Sequence, residues 1–89
     1  MKVLNLKIDG QSQTELTAIL NQLDIIVCEI MNNEDNQDNW QALKCSREAL
    51  NKINKARTAD CGYTMYINCV GAQHWTKEAY LEVTTDRSI

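Results

Sequence analysis

The sequence predicts a two-layer α+β domain of order β-α-α-β-β, in which a helix hairpin packs on a three-stranded, mainly antiparallel sheet. Two stretches in the middle of the chain repeat apolar residues at helical spacing, and stretches near both ends alternate apolar and polar residues as strands do. No linker, internal repeat or low-complexity tract interrupts them. Residues 1–89 are therefore expected to form a single compact domain.

The first predicted strand covers residues 2–9. Leu4, Leu6 and Ile8 alternate with Val3, Asn5 and Lys7, which is typical of a half-buried strand. The dipeptide at residues 9–10, Asp-Gly, is a turn signal that ends it.

Residues 14–31 are predicted to form the helix on which the rest of the chain packs. Ser12 and Glu15 have the spacing of a capping box, and Asn32 and Asn33 can end the helix because Asn tolerates the left-handed conformation. Ile25 projects to the opposite side, so either that side is also covered or it is an exposed apolar patch. Seven residues form one apolar stripe: Leu16, Ile19, Leu20, Leu23, Ile26, Val27 and Ile30.

Residues 40–57 are predicted to form the second helix. The preceding acid-amide segment, residues 32–39, lacks the spacing of a calcium loop and is expected to be a solvated loop whose Asp38 caps this helix. Small residues recur every seven positions beside the apolar side, so this face is expected to pack closely against the first helix as an antiparallel hairpin. The apolar side consists of Leu43, Leu50 and Ile53, flanked by Ala42, Ala49 and Ala56.

Two further strands are predicted in the last third of the chain. Residues 63–70 alternate, and Gly71 is expected to end that strand. Residues 80–85 give the third strand, with a long hairpin loop or a short helical turn between them, and the tail from residue 86 is expected to be frayed. An exposed edge strand in such a small sheet invites pairing between copies of the chain.

Composition indicates a globular, cytoplasmic protein. Hydrophobic residues make up 44% of the chain, and no apolar run approaches the ~18–20 residues that cross a bilayer. The four cysteines are expected to be free thiols. The net charge of −3 is unevenly distributed, with seven acids and no base between residues 8 and 43 and five bases and one acid between residues 44 and 57. This layout predicts an electrostatically bipolar molecule.

The first candidate site is the polar face of the second helix. Trp40, Lys44, Arg47 and Asn51, followed by Lys55, recur at helical spacing opposite the apolar side. An indole followed by cations could stack a planar ring and hold a phosphate or carboxylate, which predicts a nucleotide-like anion as ligand. The alternative is an ordinary solvated face. Nucleic acid is not expected as a partner, because the neighbouring acids weaken attraction for a polyanion.

The second candidate site is aromatic. Tyr66, Trp75 and Tyr80, together with Tyr63, fall in the last third of the chain, and Tyr66 and Tyr80 are expected on the sheet face away from the helices. Tyrosine and tryptophan are enriched where protein partners bind. These residues either cover the open sheet face or form a contact surface.

The sequence predicts no metal, no cofactor and no catalytic residue. His74 is the one histidine, and its combination with Cys61 and Cys69 matches neither a zinc knuckle nor a Cys–His dyad. The chain has no glycine-rich phosphate loop, since its three glycines are far apart.

These observations favour a non-catalytic binding protein that acts through protein–protein contact and forms a homodimer or a higher oligomer. In size and type it resembles the small inhibitors that phages encode against bacterial defence complexes, such as anti-CRISPR proteins. No motif carries this resemblance, so it assigns no functional residue. The alternative functions are capture of a nucleotide-like anion on the Trp40, Lys44 and Arg47 face, and a thiol-based redox role that requires an accessible cysteine of low pKa.

Overall fold

The computed structural model describes residues 2–85, and the described chain is all-helical, with no β-strand. The predicted α+β fold is therefore wrong. The expected frayed tail, residues 86–89, lies outside the described residues. The elements are α1 (Lys2–Asn5), α2 (Gln13–Asn32), a 3₁₀ turn (Glu34–Asn36), α3 (Trp40–Arg57) and α4 (Gly62–Thr85).

The three long helices pack as a bundle in which consecutive helices run antiparallel, and the described chain measures 41 × 21 × 15 Å along its principal axes. The short α1 and the segment that follows it rest against α2 and α4. Val3, Leu4 and Ile8 are buried in the core. The predicted strand over residues 2–9 is thus wrong, and Leu6, which was expected to face inward, is 43% exposed.

The boundaries of α2 follow its capping residues. The Ser12 hydroxyl accepts a hydrogen bond from the Glu15 amide at 3.2 Å, and the Glu15 carboxylate accepts one from the Ser12 amide at 2.9 Å. The bond from the Ser12 amide to the carboxylate also lowers the pKa of Glu15, because it favours the ionised form. The predicted capping box and the burial of the whole apolar stripe are confirmed. The helix ends at Asn32 as predicted, but Asn33 has φ −77° and is extended rather than left-handed.

The bounds predicted for α3 are confirmed, but its predicted cap is wrong. Asn39, and not Asp38, is the N-cap, since its side-chain oxygen accepts from the Ala42 amide at 3.1 Å. The loop before it is fastened to α2 by Asn36, whose buried Nδ2 donates to the Ile30 carbonyl at 3.0 Å.

Small residues line the seam between α3 and α4. These two helices lie close together along more of their length than either does with α2. The buried hydroxyls of Ser46 and Thr76 donate to carbonyls of their own helices, at 2.8 and 2.7 Å, so neither needs a partner across the seam. The principal neighbour of α3 is therefore α4, whereas the sequence predicted α2. We call the buried residues of these two helices the seam: Ala42, Ser46, Ala49, Ile53 and Ala56 on α3 and Met65, Cys69, Ala72, Thr76 and Ala79 on α4.

Residues 62–85 form one continuous helix where two strands and a connecting loop were predicted. Gly71 lies inside this helix instead of ending a strand. A Cβ built on Gly71 would lie 3.3 Å from Cδ of Lys52, so the glycine lets that lysine cross α4 closely. Packing of small residues against α3 accounts for the helix despite the β-branched and aromatic residues in this stretch.

A matched pair of glycine substitutions tests this helix. Gly71→Ala is expected to raise the free energy of unfolding by up to about 1 kcal/mol, because alanine is the better helix former and the flexible Lys52 side chain can shift. Gly10→Ala is expected to lower it by about 1 kcal/mol although nothing lies within 4 Å of the new Cβ, because Gly10 has φ +79°. Urea denaturation measures both values. Destabilisation by Gly71→Ala as large as that by Gly10→Ala would contradict a continuous α4.

Candidate functional site

Helix α4 carries apolar residues on two opposite faces. At about 100° per residue, its buried seam and a second set of apolar side chains lie roughly half a turn apart. The second set consists of Tyr63, Ile67, Val70 and Leu81, which are 71%, 44%, 37% and 44% exposed. We call these four residues, together with His74 and Lys77 in the same line, the outer stripe.

The outer stripe is unusual for the surface of a helical bundle. A helix at the surface normally opposes its apolar face with a polar one, and a helix that is apolar all round is normally buried. Here four large apolar side chains of α4 point to water, whereas its seam is built mostly of small ones. Because single exposed apolar residues are common but contiguous rows are not, the outer stripe is the candidate contact surface among the described residues.

The spacing of the outer stripe is that of a helix-packing seam. Its residues follow one another at intervals of 4, 3, 4, 3 and 4, which is the pattern of a heptad repeat. At ~1.5 Å per residue the stripe is about 27 Å long. Its geometry therefore suits a second helix lying along α4.

Leu6 extends the apolar surface beside the outer stripe. The Gln73 amide of α4 donates to the Val3 carbonyl at 2.8 Å and to the Leu6 carbonyl at 2.6 Å. These bonds fix the segment after α1 against one side of α4. The half-exposed Leu6 side chain is thus held near the outer stripe.

The predicted aromatic residues lie on the flanks of α4 and not on a sheet face. Tyr66 and Tyr80 are half-buried on the same side of the helix, where both pack against the core. Trp75 is half-buried on the other side, and its ring meets that of His74 edge-on with centroids 5.1 Å apart. His74 is exposed on the helix. The structure thus places all three aromatics at the borders of the outer stripe.

The predicted face of α3 is exposed along its whole length. Trp40 is 66% exposed, and Lys44, Arg47 and Asn51 follow it on the solvent side of the helix, as does Lys55. The structure therefore brings these residues into one row. Tyr66 and Tyr80 belong to a different helix and pack on the core.

Carboxylates surround Trp40. The indole lines an open groove of about 550 Å³ whose wall also includes Asp35, Asp38 and Glu82. The cations of the predicted anion site begin one helical turn further along α3. The groove itself thus repels an anion, and only the stretch from Lys44 onward has the charge that an anion requires.

Ile25 is exposed on α2, so this side of the helix is not covered. It is 60% exposed in a shallow hollow with Asp24, Cys28 and Glu29. Of the two alternatives for this side, the structure agrees with the exposed patch. The patch consists of one large side chain among polar neighbours, which is far less surface than the outer stripe provides.

The uneven charge layout is partly compensated inside the bundle. Arg57, at the end of the basic α3, donates to the Asp24 carboxylate at 3.0 Å and to the Asn21 side chain at 2.7 Å on the acidic α2. Both charged groups remain about one-third exposed. The pair joins the two helices but is expected to add little stability.

All four cysteines are free thiols, and their environments differ. Cys61 is exposed directly before α4, with its sulfur 3.2 Å from the Thr64 hydroxyl, and hydrogen bonds with Thr64 lower its pKa. A bond to the Asp24 carboxylate raises the pKa of Cys28, and burial raises that of Cys45. Burial raises the pKa of Cys69 to about 11.

These environments predict an order of thiol reactivity. Iodoacetamide should alkylate Cys61 first in the folded protein and at least about tenfold faster than Cys69, because the thiolate is the reactive form and Cys69 is buried. Mass spectrometry of peptides after timed quenching measures each rate. In urea the four rates should converge. Equal rates in the folded protein would contradict the thiol environments described above.

Sequence reasoning missed Ile67, Val70 and Leu81 as candidate contact residues, and it noted Tyr63 only as one of four aromatics. Their signal is the spacing of 4 and 3, which becomes visible once residues 62–85 are placed on a helical wheel. Read as strands, the same residues fall on both faces of a sheet.

No protein-family model, curated protein or solved structure matches the chain. None of the helices in residues 2–85 is long and apolar enough to span a bilayer. Over the same residues no three histidine, cysteine or acidic side chains are grouped so that they could hold a metal ion. The functional argument therefore rests on the outer stripe and on the exposed face of α3.

Proposed function

We propose that the chain is a non-catalytic binding protein that acts through protein–protein contact, with the outer stripe as its contact surface. The observation that carries this proposal is the exposure of Tyr63, Ile67, Val70 and Leu81 in one line along α4. A tyrosine at the end of the line and aromatics on its borders suit an interface, where aromatic side chains are enriched.

The energetics of the outer stripe support contact with another protein. Full burial of one large apolar side chain contributes about 1.5–3 kcal/mol, so covering these partly exposed ones yields roughly 1 kcal/mol each. Charged side chains are sparse on the stripe, with Lys77 on it and Glu78 beside it. Desolvation of the surface therefore costs little, because few charges must leave water.

A small inhibitor that blocks a bacterial defence complex, of the type that phages encode, would work in this way. It needs a stable scaffold, one contact surface and no chemistry of its own. Free thiols suit action in the cytoplasm, where disulfides are rare. These features support the inhibitor role only by type, and the contact surface is the part of the proposal that the chain's own residues define.

Site-specific photocrosslinking tests the contact surface. A photoreactive phenylalanine analogue at position 67, expressed in living cells, is expected to give discrete crosslinked bands on a denaturing gel. The same analogue at position 54 is the control, since Asn54 is exposed on α3 away from the outer stripe.

A second substitution tests whether the crosslinks form through the outer stripe. Tyr63→Asp in the same chain should abolish the bands from position 67, because it places a charge in the contact. Thermal unfolding must show that this variant remains folded. Equal bands from positions 67 and 54, or bands that survive Tyr63→Asp, would refute the proposed surface.

A second candidate function is capture of a nucleotide-like anion on α3. The exposure of Trp40 together with Lys44, Arg47 and Asn51 in one row favours it. The carboxylates around Trp40 oppose it, so the anion would lie nearer to Arg47 than to the groove. For this reason protein contact is the first proposal.

The anion candidate predicts that ATP quenches the fluorescence of Trp40. Arg47→Ala should weaken ATP binding at least about tenfold without changing the melting temperature, because a guanidinium holds phosphate through two hydrogen bonds. Lys7→Ala removes an equal charge from an exposed position outside α3 and should leave binding unchanged. An unaltered affinity in Arg47→Ala, or no binding by the natural chain, would exclude this function.

A further inference from the structure

We infer that the outer stripe binds the outer stripe of a second copy of this chain, with the two α4 helices antiparallel about a two-fold axis near residue 72. This inference rests on the proposed function, since it names the partner of the same surface. It replaces the edge-strand route to self-association, which is wrong because the described residues contain no strand.

The spacing of the stripe is the first argument for a second copy. The intervals of 4, 3, 4, 3 and 4 read the same in both directions. A two-fold interface requires that if residue i meets residue j, then j also meets i. In the antiparallel arrangement every residue of the stripe acquires a partner at the same level, with none left over.

The chemistry of each level is the second argument. Tyr63 meets Leu81 of the other copy at both ends, so the contact closes with a pair of large apolar side chains. Val70 meets His74 on either side of the axis. Ile67 meets Lys77, whose long aliphatic stem can lie along the isoleucine while its ammonium group reaches water.

The distribution of charge is the third argument. In the antiparallel arrangement no level places like charges opposite each other. The two Lys77 residues lie about 15 Å apart along the axis at ~1.5 Å per residue, which is beyond the ~8 Å over which exposed charges interact at physiological salt. On one flank, Tyr66 of one copy lies within about 3 Å, along the axis, of Tyr80 of the other. On the other flank, Glu78 has the same offset from Thr64. A parallel pair would instead place Lys77 against Lys77.

The size of the contact sets the expected affinity. Stable interfaces bury about 800 Å² on each partner, and one helix face of about 27 Å length, even with Leu6 at its border, provides less. A dissociation constant in the micromolar range is therefore expected. Such a dimer is reversible at cellular concentrations.

Sedimentation velocity tests the inference with matched substitutions. The natural chain at about 100 µM should sediment as a dimer and dissociate on dilution. Ile67→Lys should weaken the dimer roughly 10- to 100-fold, because it opposes Lys77 of the other copy. Ile25→Lys places the same substitution on another exposed isoleucine, on α2, and should leave the dimer unchanged.

A charge exchange tests the antiparallel direction. Ile67→Glu should weaken the dimer less than Ile67→Lys, since the carboxylate faces Lys77. The double variant I67K/K77E should recover most of the affinity lost in I67K. In a parallel pair each of these residues would face the same position of the other copy. Equal weakening by both charges, with no recovery in the double variant, would therefore overturn the antiparallel arrangement.

The outcomes distinguish this inference from the proposed function. A natural chain that sediments as a monomer at every concentration overturns the second copy as partner. If position 67 still crosslinks in cells to a protein of different mass, and Tyr63→Asp abolishes that band, the contact surface stands with another partner. Absence of both the dimer and specific crosslinks overturns both.

Discussion

The close approach of α3 and α4 is the constraint on which the rest of the structure depends. Their seam is built mainly of alanine, serine, cysteine and threonine, and side chains of this size let two helix backbones lie close together. Ser46 and Thr76 can lie in such a seam only because their hydroxyls are bonded within their own helices. Larger residues in these positions would separate the helices. The loss of packing would then spread to α2, which rests on both.

This seam also explains why the apolar surface of α4 is exposed. Since small residues form most of the buried face of α4, four of its large apolar residues remain on the outside, and Tyr63 is 71% exposed. The fold gains nothing from them in this position, because the core is already closed by α2, α3 and the N-terminal segment. A row of such side chains raises the risk of non-specific association. Their placement is therefore the basis of the proposal that this face contacts another chain.

The sequence predicted α2 and α3 correctly because each has one apolar face and one polar face. Their spacing at Leu16 through Ile30 and at Ala42 through Ala56 leaves no competing interpretation, and Ser12 with Glu15 marks the start of α2. Helix α4 could not be recognised in this way. Apolar residues on opposite faces cancel the helical period, so a stretch rich in tyrosine, isoleucine and valine looks like a strand. The predicted N-cap of α3 was wrong by one residue, Asp38 instead of Asn39, because Asp and Asn are similarly favoured at this position.

The difference between helices with one apolar face and α4, which has two, also decided which site residues could be found from the sequence. The row from Trp40 to Lys55 was predictable because it follows from the correct placement of α3, and the structure shows it exposed. Tyr66, Trp75 and Tyr80 were chosen by residue type alone, and they prove to be half-buried borders of a surface whose centre was missed. The feature that hid α4 from sequence reasoning is also the feature that supports the proposed contact surface. A helix that is apolar on two faces has no amphipathic signal in its sequence, and for the same reason it can pack on its own bundle and on a partner at once.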